Sequence, residues 1–167
     1  MKTKPTAKAL DNKKDKIAVK EISKTELLLL KDKYVFHGSH ALFDVCKPHQ
    51  AKCETKRKEN EQFAIYGSSS LEFAILFAFE KLPKTKYSWS ADVGDDGKPF
   101  GLLKEGTYIA EEDFGFIYCF DKAKFKPTTA GSMQYVCKQE LAPVAIYKVY
   151  YKDFKELFEI ETATKTV

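Results

Sequence analysis

Short runs of aromatic and β-branched residues, separated by polar turns, recur along most of the chain and predict strands. The predicted strands lie at 33–37, 63–66, 107–110, 115–120, 134–137 and 144–151, with a further strand and a long loop between Lys84 and Gly106. Two helices are predicted as well. A short one follows Ser23, with Glu26 at capping-box spacing, and a buried one runs from Ser70 to Lys81, capped by Ser69 or Ser70. Early strands, one central helix and then consecutive strands predict an α+β domain with largely antiparallel sheets.

The length of 167 residues suits one domain. We expect a basic leader, flexible or helical, over 1–22, a folded domain over 23–158 and a solvated tail over 159–167. Residues 1–33 hold 10 lysines against 5 acidic residues, which leaves 18 basic and 19 acidic residues in the rest of the chain. The folded part is therefore nearly neutral, and a basic groove for duplex nucleic acid is not expected.

No apolar run approaches the roughly 20 residues of a membrane span, and the first residues lack the apolar core of a signal peptide. We therefore expect a cytoplasmic protein with no membrane partner, and a monomer.

The four cysteines, Cys46, Cys53, Cys119 and Cys137, form no C-x-x-C pair, which favours free and mostly buried thiols. Cys46, His49 and Cys53 are close enough in sequence to share a metal, with His40 as a conceivable fourth ligand. Structural zinc usually takes its ligands from two separated pairs, and no second pair follows here, so no metal site is predicted.

Three segments together resemble the ADP-ribosyltransferases of the diphtheria toxin and poly(ADP-ribose) polymerase branch. They are VFHGS at 35–39, AIYGSSS at 64–70 directly before the buried helix, and QYVC at 134–137. The resemblance spans roughly residues 33–151, and the rifamycin ADP-ribosyltransferases are similar in size and in the I-Y-x-S pattern. It implies an ADP-ribosyltransferase-like split antiparallel sheet with a central helix, and NAD as co-substrate.

The resemblance also implies a role for each matched residue. His37 corresponds to the histidine that hydrogen-bonds a ribose hydroxyl of NAD, and Gly38 to the glycine whose backbone meets the nicotinamide carboxamide. Tyr66 corresponds to the tyrosine that lies against the nicotinamide ring, and Phe77 to a second aromatic on its other side. The remaining NAD-binding positions carried over are Ser39 and Ser68.

The third catalytic position, after His37 and Tyr66, falls on Gln134, where the polymerases carry glutamate. An amide can hydrogen-bond a ribose hydroxyl, but it supplies no negative charge opposite a developing oxocarbenium ion. This substitution argues against poly(ADP-ribose) synthesis. It leaves two hypotheses: mono(ADP-ribosyl) transfer, and a catalytically silent domain that binds NAD or another protein.

Composition excludes one related activity. RNA 2′-phosphotransferases grip phosphates with several arginines, and Arg57 is the only arginine of the chain. The cholera-toxin-like branch requires an early arginine where His37 stands, and the pair Glu159 and Glu161 lies in the predicted tail. The acceptor of ADP-ribose stays open between protein, nucleic acid, small molecule and water, and we expect loops 48–60 and 87–106 to select it.

Overall fold

The computed structural model describes residues 17–50, 62–80 and 89–161, and strands dominate these ranges. The strands are β1 (Val19–Glu21), β2 (Val35–Ser39), β3 (His49–Gln50), β4 (Phe63–Ser68), β5 (Trp89–Val93), β6 (Pro99–Lys104), β7 (Phe114–Phe120), β8 (Lys126–Pro127), β9 (Gln134–Cys137), β10 (Ala145–Tyr150) and β11 (Phe158–Glu161). The helices are α1 (Lys24–Leu28), α2 (Leu71–Ala78) and α3 (Tyr151–Phe154), with 3₁₀ turns at Lys122–Lys124 and Lys155–Leu157.

Eight strands form one large sheet in the order β1-β10-β7-β2-β4-β9-β8, with β3 paired to β4. A second sheet has the order β11-β6-β5. Most neighbouring strands are antiparallel, but β1 runs parallel to β10 and β11 runs parallel to β6. Both sheets are therefore mixed.

The predicted α+β class, an ADP-ribosyltransferase-like split antiparallel sheet with a central helix, is wrong for this chain. Of the described residues, 41% lie in strands and 18% in helices, so the fold is mostly β with a large mixed sheet. The prediction missed four short strands, β1, β3, β8 and β11, and one strand of the β5–β6 pair. Residues 89–104 form a hairpin rather than a strand and a long loop, and each end of the described chain adds a strand in parallel.

Parts of the predicted leader and tail belong to these sheets. Val19–Glu21, within the predicted leader, pairs with β10, and residues 159–161, within the predicted tail, continue β11 along β6. Another local prediction is wrong as well, because Thr107 to Ala110 does not form a strand. The chain turns at Gly106, whose φ is 85°, and then buries Thr107 and Ile109 without β-pairing.

Helix α2 lies between the two sheets. Its buried residues Ala74, Ile75 and Ala78 pack on β2 and β7, and Leu103 of the small sheet belongs to the same apolar cluster. A second cluster covers the opposite face of the large sheet, with Val35, Ile65, Tyr118 and Phe120 among its members. Alternate residues of a strand point to opposite faces of the sheet. We call the side of the large sheet that packs on α2 the helix face, and the opposite side, which no α-helix covers in the described residues, the free face.

Within the described ranges no helix is long and apolar enough to cross a membrane.

Candidate functional site

The motif residues His37, Tyr66 and Gln134 lie on three neighbouring strands of the large sheet, β2, β4 and β9. Phe36 of β2 is registered with Ser68 of β4, and Ser68 is registered with Gln134 of β9. Three segments that are far apart in sequence are thus adjacent across the sheet.

His37 is held by a hydrogen bond between its ring Nδ1 and the backbone oxygen of Tyr66, at 2.6 Å. A carbonyl oxygen can only accept, so Nδ1 carries the proton and Nε2 presents a lone pair. Burial lowers the pKa of His37, the bond to Tyr66 opposes that shift, and the charge of His49 adds to the lowering. His37 is therefore a neutral imidazole at neutral pH.

β2 and β4 share only the registered pair Phe36 and Ser68. Further along the same edge of β4, β3 takes over, with His49 opposite Ala64. Between these two pairings the edge of β4 has no registered strand partner among the described residues. There the His37 side chain reaches across from β2 and bonds the Tyr66 carbonyl.

The predicted site residues divide between the two faces of the large sheet. His37 and Ser39 alternate with Phe36 and share the free face with Tyr118, the residue registered with His37. Gly38, Tyr66, Ser68 and Gln134 lie on the helix face, and the last predicted residue, Phe77, lies on α2 itself. Directly opposed residues share a face, which assigns Gln134 to the side of Ser68.

Ser68 is buried, and its hydroxyl is fully used inside the fold. It donates to the backbone oxygen of Met133 at 3.0 Å and accepts from the amide of Ser70 at 3.0 Å. Ser70 in turn caps α2 by accepting from the amide of Phe73. Ser68 thus joins the start of α2 to the residue before Gln134.

The aromatic pair of the resemblance, Tyr66 and Phe77, is half-buried. The Tyr66 hydroxyl accepts a hydrogen bond from the Gln62 amide at 2.6 Å. Phe77 lies on α2 with its ring centroid 5.1 Å from that of Phe73. A nicotinamide sandwiched between Tyr66 and Phe77 stays a prediction.

Position 38 requires glycine because α2 crosses β2 there. A β-carbon on Gly38 would overlap the backbone oxygen of Ala74 and lie 2.7 Å from the Ala78 amide nitrogen. The close approach seen in the fold is therefore between strand and helix, whereas the sequence suggested an approach to a ligand.

A cavity of about 490 Å³ opens on the free face, beside the interval between β2 and β4. That volume is within the range of small-molecule sites. Its polar lining consists of His37, Ser39, Lys47 and His49, and its apolar lining of Phe43, Val45, Cys46 and Ile65.

The cysteine in this cavity is an unreactive thiol, because burial raises the pKa of Cys46 to about 12. Cys46, Cys119 and Cys137 are free and buried, as predicted. Cys53 lies outside the described residues, as do most of the predicted acceptor loop 48–60 and the first residues of loop 87–106. In the ranges that are described, no three His, Cys, Asp or Glu side chains are grouped to hold a metal ion.

Sequence reasoning missed most of the cavity wall. No sequence pattern predicts Phe43, Val45 or Ile65 as site residues, and the spacing around His49 suggests only a metal ligand. Phe43 and Val45 come from an irregular loop, and Ile65 is the neighbour of Tyr66 in the second motif segment, on the opposite face of β4. The sequence carries one signal for this wall, the tyrosine Tyr118 within the apolar run FGFIYCF. A buried tyrosine hydroxyl usually has a hydrogen-bond partner, and here that partner is the loop that contains Phe43.

Comparisons of this chain with protein-family models, curated proteins and solved structures find no match.

Proposed function

We propose that this protein is an NAD-dependent mono(ADP-ribosyl)transferase, which cleaves the bond between nicotinamide and ribose and transfers ADP-ribose to an acceptor. The observation that carries the proposal is the adjacency of the three motif strands. His37, Tyr66 and Gln134 match the residues of the family in order, and β2, β4 and β9 are neighbours in one sheet. A chance match of three short motifs has no reason to fall on adjacent strands.

The chemistry demands little acid or base strength from the protein. The C1′–N bond breaks, nicotinamide leaves with the bonding electron pair, and the acceptor attacks C1′ as it loses a proton. Positive charge develops on the ribose, so hydroxyl positioning matters most. A neutral His37 with a free Nε2 lone pair can accept a hydrogen bond from a ribose hydroxyl.

The distribution over two faces limits how NAD could lie. His37 and Ser39 face the cavity, whereas Tyr66 and Gln134 are on the helix face. Because the 2.6 Å bond from His37 to the Tyr66 carbonyl bridges β2 and β4, NAD bound at the cavity would contact His37 and Ser39 from the free face alone. The cavity on the free face would then hold the part of NAD next to His37.

Gln134 favours a second candidate function, a silent domain that binds NAD without consuming it. A neutral amide leaves the developing positive charge without a carboxylate, and carboxylates are what chain-elongating relatives use at that position. The two functions predict different outcomes for nicotinamide release.

The first test is nicotinamide release by the purified chain, beside direct NAD binding. His37→Ala is expected to lower release about five- to tenfold, because one lost hydrogen bond of about 1–1.4 kcal/mol in the transition state corresponds to that factor. His40→Ala is the matched control, since His40 is exposed and three residues away. It should leave release unchanged.

Each outcome has one interpretation when thermal unfolding shows that both variants fold. Release that falls only in His37→Ala supports the transferase. Tight NAD binding without release in the unmodified chain supports the silent domain, and no binding at all refutes both functions.

A further inference from the structure

The loop of residues 40–46 follows the His-Gly-Ser segment and forms one wall of the cavity through Phe43, Val45 and Cys46. Both ends of this loop are fixed by hydrogen bonds. The Ala41 amide donates to the Ser39 hydroxyl at 3.1 Å, and Cys46 exchanges two backbone hydrogen bonds with Leu141.

The middle of the loop is held by Tyr118, a fully buried residue of β7. The Tyr118 hydroxyl donates to the backbone oxygen of Ala41 at 2.7 Å and accepts from the Phe43 amide at 3.0 Å. Its ring stacks on Phe43 with centroids 4.3 Å apart and an interplanar angle of 6°. One side chain thus satisfies two backbone groups of the loop and packs against its aromatic residue.

Tyr118 also contacts His37. The two residues are registered across β2 and β7, and their ring centroids lie 5.9 Å apart in an edge-on arrangement. Phe43 is 6.1 Å from His37. The three rings form a cluster in which Tyr118 touches both the cavity loop and the histidine, although Tyr118 does not itself line the cavity.

From this geometry we infer that Tyr118 is a positioning residue for NAD, acting through Phe43 and His37. The inference rests on the proposed function. Burial raises the pKa of Tyr118 and keeps the hydroxyl protonated, so it can donate and accept at once. Because Tyr118 fixes the wall against which a ligand would bind, its loss should weaken binding more than it slows the reaction.

Tyr118→Phe removes both hydrogen bonds and keeps the ring stack. We expect the KM for NAD to rise about fivefold, close to the effect of one net hydrogen bond, with kcat changed less than about twofold. Amide hydrogen exchange at Phe43 should become faster, because its partner is gone. Phe43→Leu keeps both backbone bonds to Tyr118 but removes the stack, and should also raise KM.

Tyr147→Phe is the matched control. Tyr147 lies on β10 of the same sheet, but it packs in the helix-face cluster and is registered with Ile117, one residue from Tyr118. Tyr147→Phe also removes one tyrosine hydroxyl, but on the helix face instead of the free face. KM and exchange at Phe43 should both equal those of the unmodified chain.

The readouts separate this inference from the proposed function. Unchanged exchange at Phe43 in Tyr118→Phe would show that the hydroxyl does not hold the loop, and faster exchange with unchanged KM would show a purely structural role. Either result overturns the inference. If the unmodified chain releases no nicotinamide, the transferase proposal fails, and NAD binding by calorimetry decides: a weaker Kd in Tyr118→Phe supports the inference, and an equal Kd overturns it.

Discussion

A half-buried histidine, His37, whose ring bonds a carbonyl, makes protein stability depend on pH. The pKa of His37 is lowered in the folded protein, chiefly by burial, and is about 6.5 in an unfolded chain. Between these two values the unfolded state binds more protons, so the free energy of unfolding falls as the pH decreases through that window. The stabilisation is fully present above the unfolded value and is lost below it.

His37→Gln should remove this part of the pH dependence. We expect the unfolding free energy of the unmodified chain to fall more steeply below about pH 6.5, with a difference in slope of at most about 1.4 kcal/mol per pH unit. Denaturant titrations between about pH 7.5 and about pH 5.5 measure it, more than one pH unit above the ordinary pKa of Asp and Glu. His40→Gln, at an exposed histidine, should keep the slope of the unmodified chain; equal slopes in all three proteins would contradict a lowered pKa for His37.

The helix caps could be predicted from the sequence, whereas the hydrogen-bond partners of polar side chains on the strands could not. Ser23 and Ser70 cap their helices as predicted, because an N-cap bond forms within three residues of the chain. The partner of Ser68 is Met133, 65 residues away. The bond from His37 to the Tyr66 carbonyl likewise depends on strand pairing, which no local pattern specifies.

At the scale of elements, the crossing of α2 over β2 and β7 is set by two glycines. β-Carbons on Gly38 or Gly115 would overlap the backbone of α2, at Ala74 and Ala78 respectively. The small residues Ala74 and Ala78 on the helix complete this close approach. Glycine at position 38 thus fixes how near the helix lies to the strand that carries His37.

Gly38→Ala should therefore destabilise the fold. We expect a loss of about 3 kcal/mol, at the upper end of overpacking effects, because the overlap is with backbone atoms that cannot rotate away. Gly94→Ala is the control: the new β-carbon would lie 3.0 Å from the Asp96 carboxylate, which can rotate away, and in ordinary contact with the Lys98 carbonyl at 3.7 Å. The loss should be below about 1 kcal/mol. Chemical denaturation of both variants measures the difference. Equal stabilities would show that α2 can shift away from β2.

Strands with strong apolar patterns were predicted within two residues at each end. The predictions at 63–66, 115–120, 134–137 and 144–151 correspond to β4, β7, β9 and β10. The prediction at 107–110 failed, because burial of Thr107 and Ile109 gives the same apolar pattern without a pairing partner. Periodicity reports burial, and pairing needs a free neighbouring edge.

For the whole molecule, the fold class was predicted wrongly because its sheets are completed by the ends of the described chain. β1 has three residues and β11 has four, and both are largely exposed, so their sequences carry little apolar signal. They become strands because β10 and β6 offer unpaired edges. Tertiary context decided these pairings, whereas the sequence predicts a flexible or helical leader at Val19–Glu21 and a solvated tail from residue 159.

A mutation in β11 tests whether the small sheet contributes to the stability of the whole fold. Phe158, the first residue of β11, packs on Tyr151 with ring centroids 5.3 Å apart and on Phe79 at 6.2 Å. It also fills the space that a side chain at Gly101 would occupy. Phe158→Ala should cost about 2 kcal/mol, less than the 3–5 kcal/mol of a fully buried phenylalanine, since the ring is only half-buried.

Ile160→Ala is the control for that mutation, two residues further along the same strand. Ile160 is 61% exposed, so its truncation should change the free energy of unfolding by less than about 0.5 kcal/mol. Denaturant midpoints of the full chain and both variants give the comparison. A neutral Phe158→Ala would mean that β11 adds nothing to the core. A loss confined to Phe158 would mean that the aromatic contact under the small sheet couples the end of the described chain to α2.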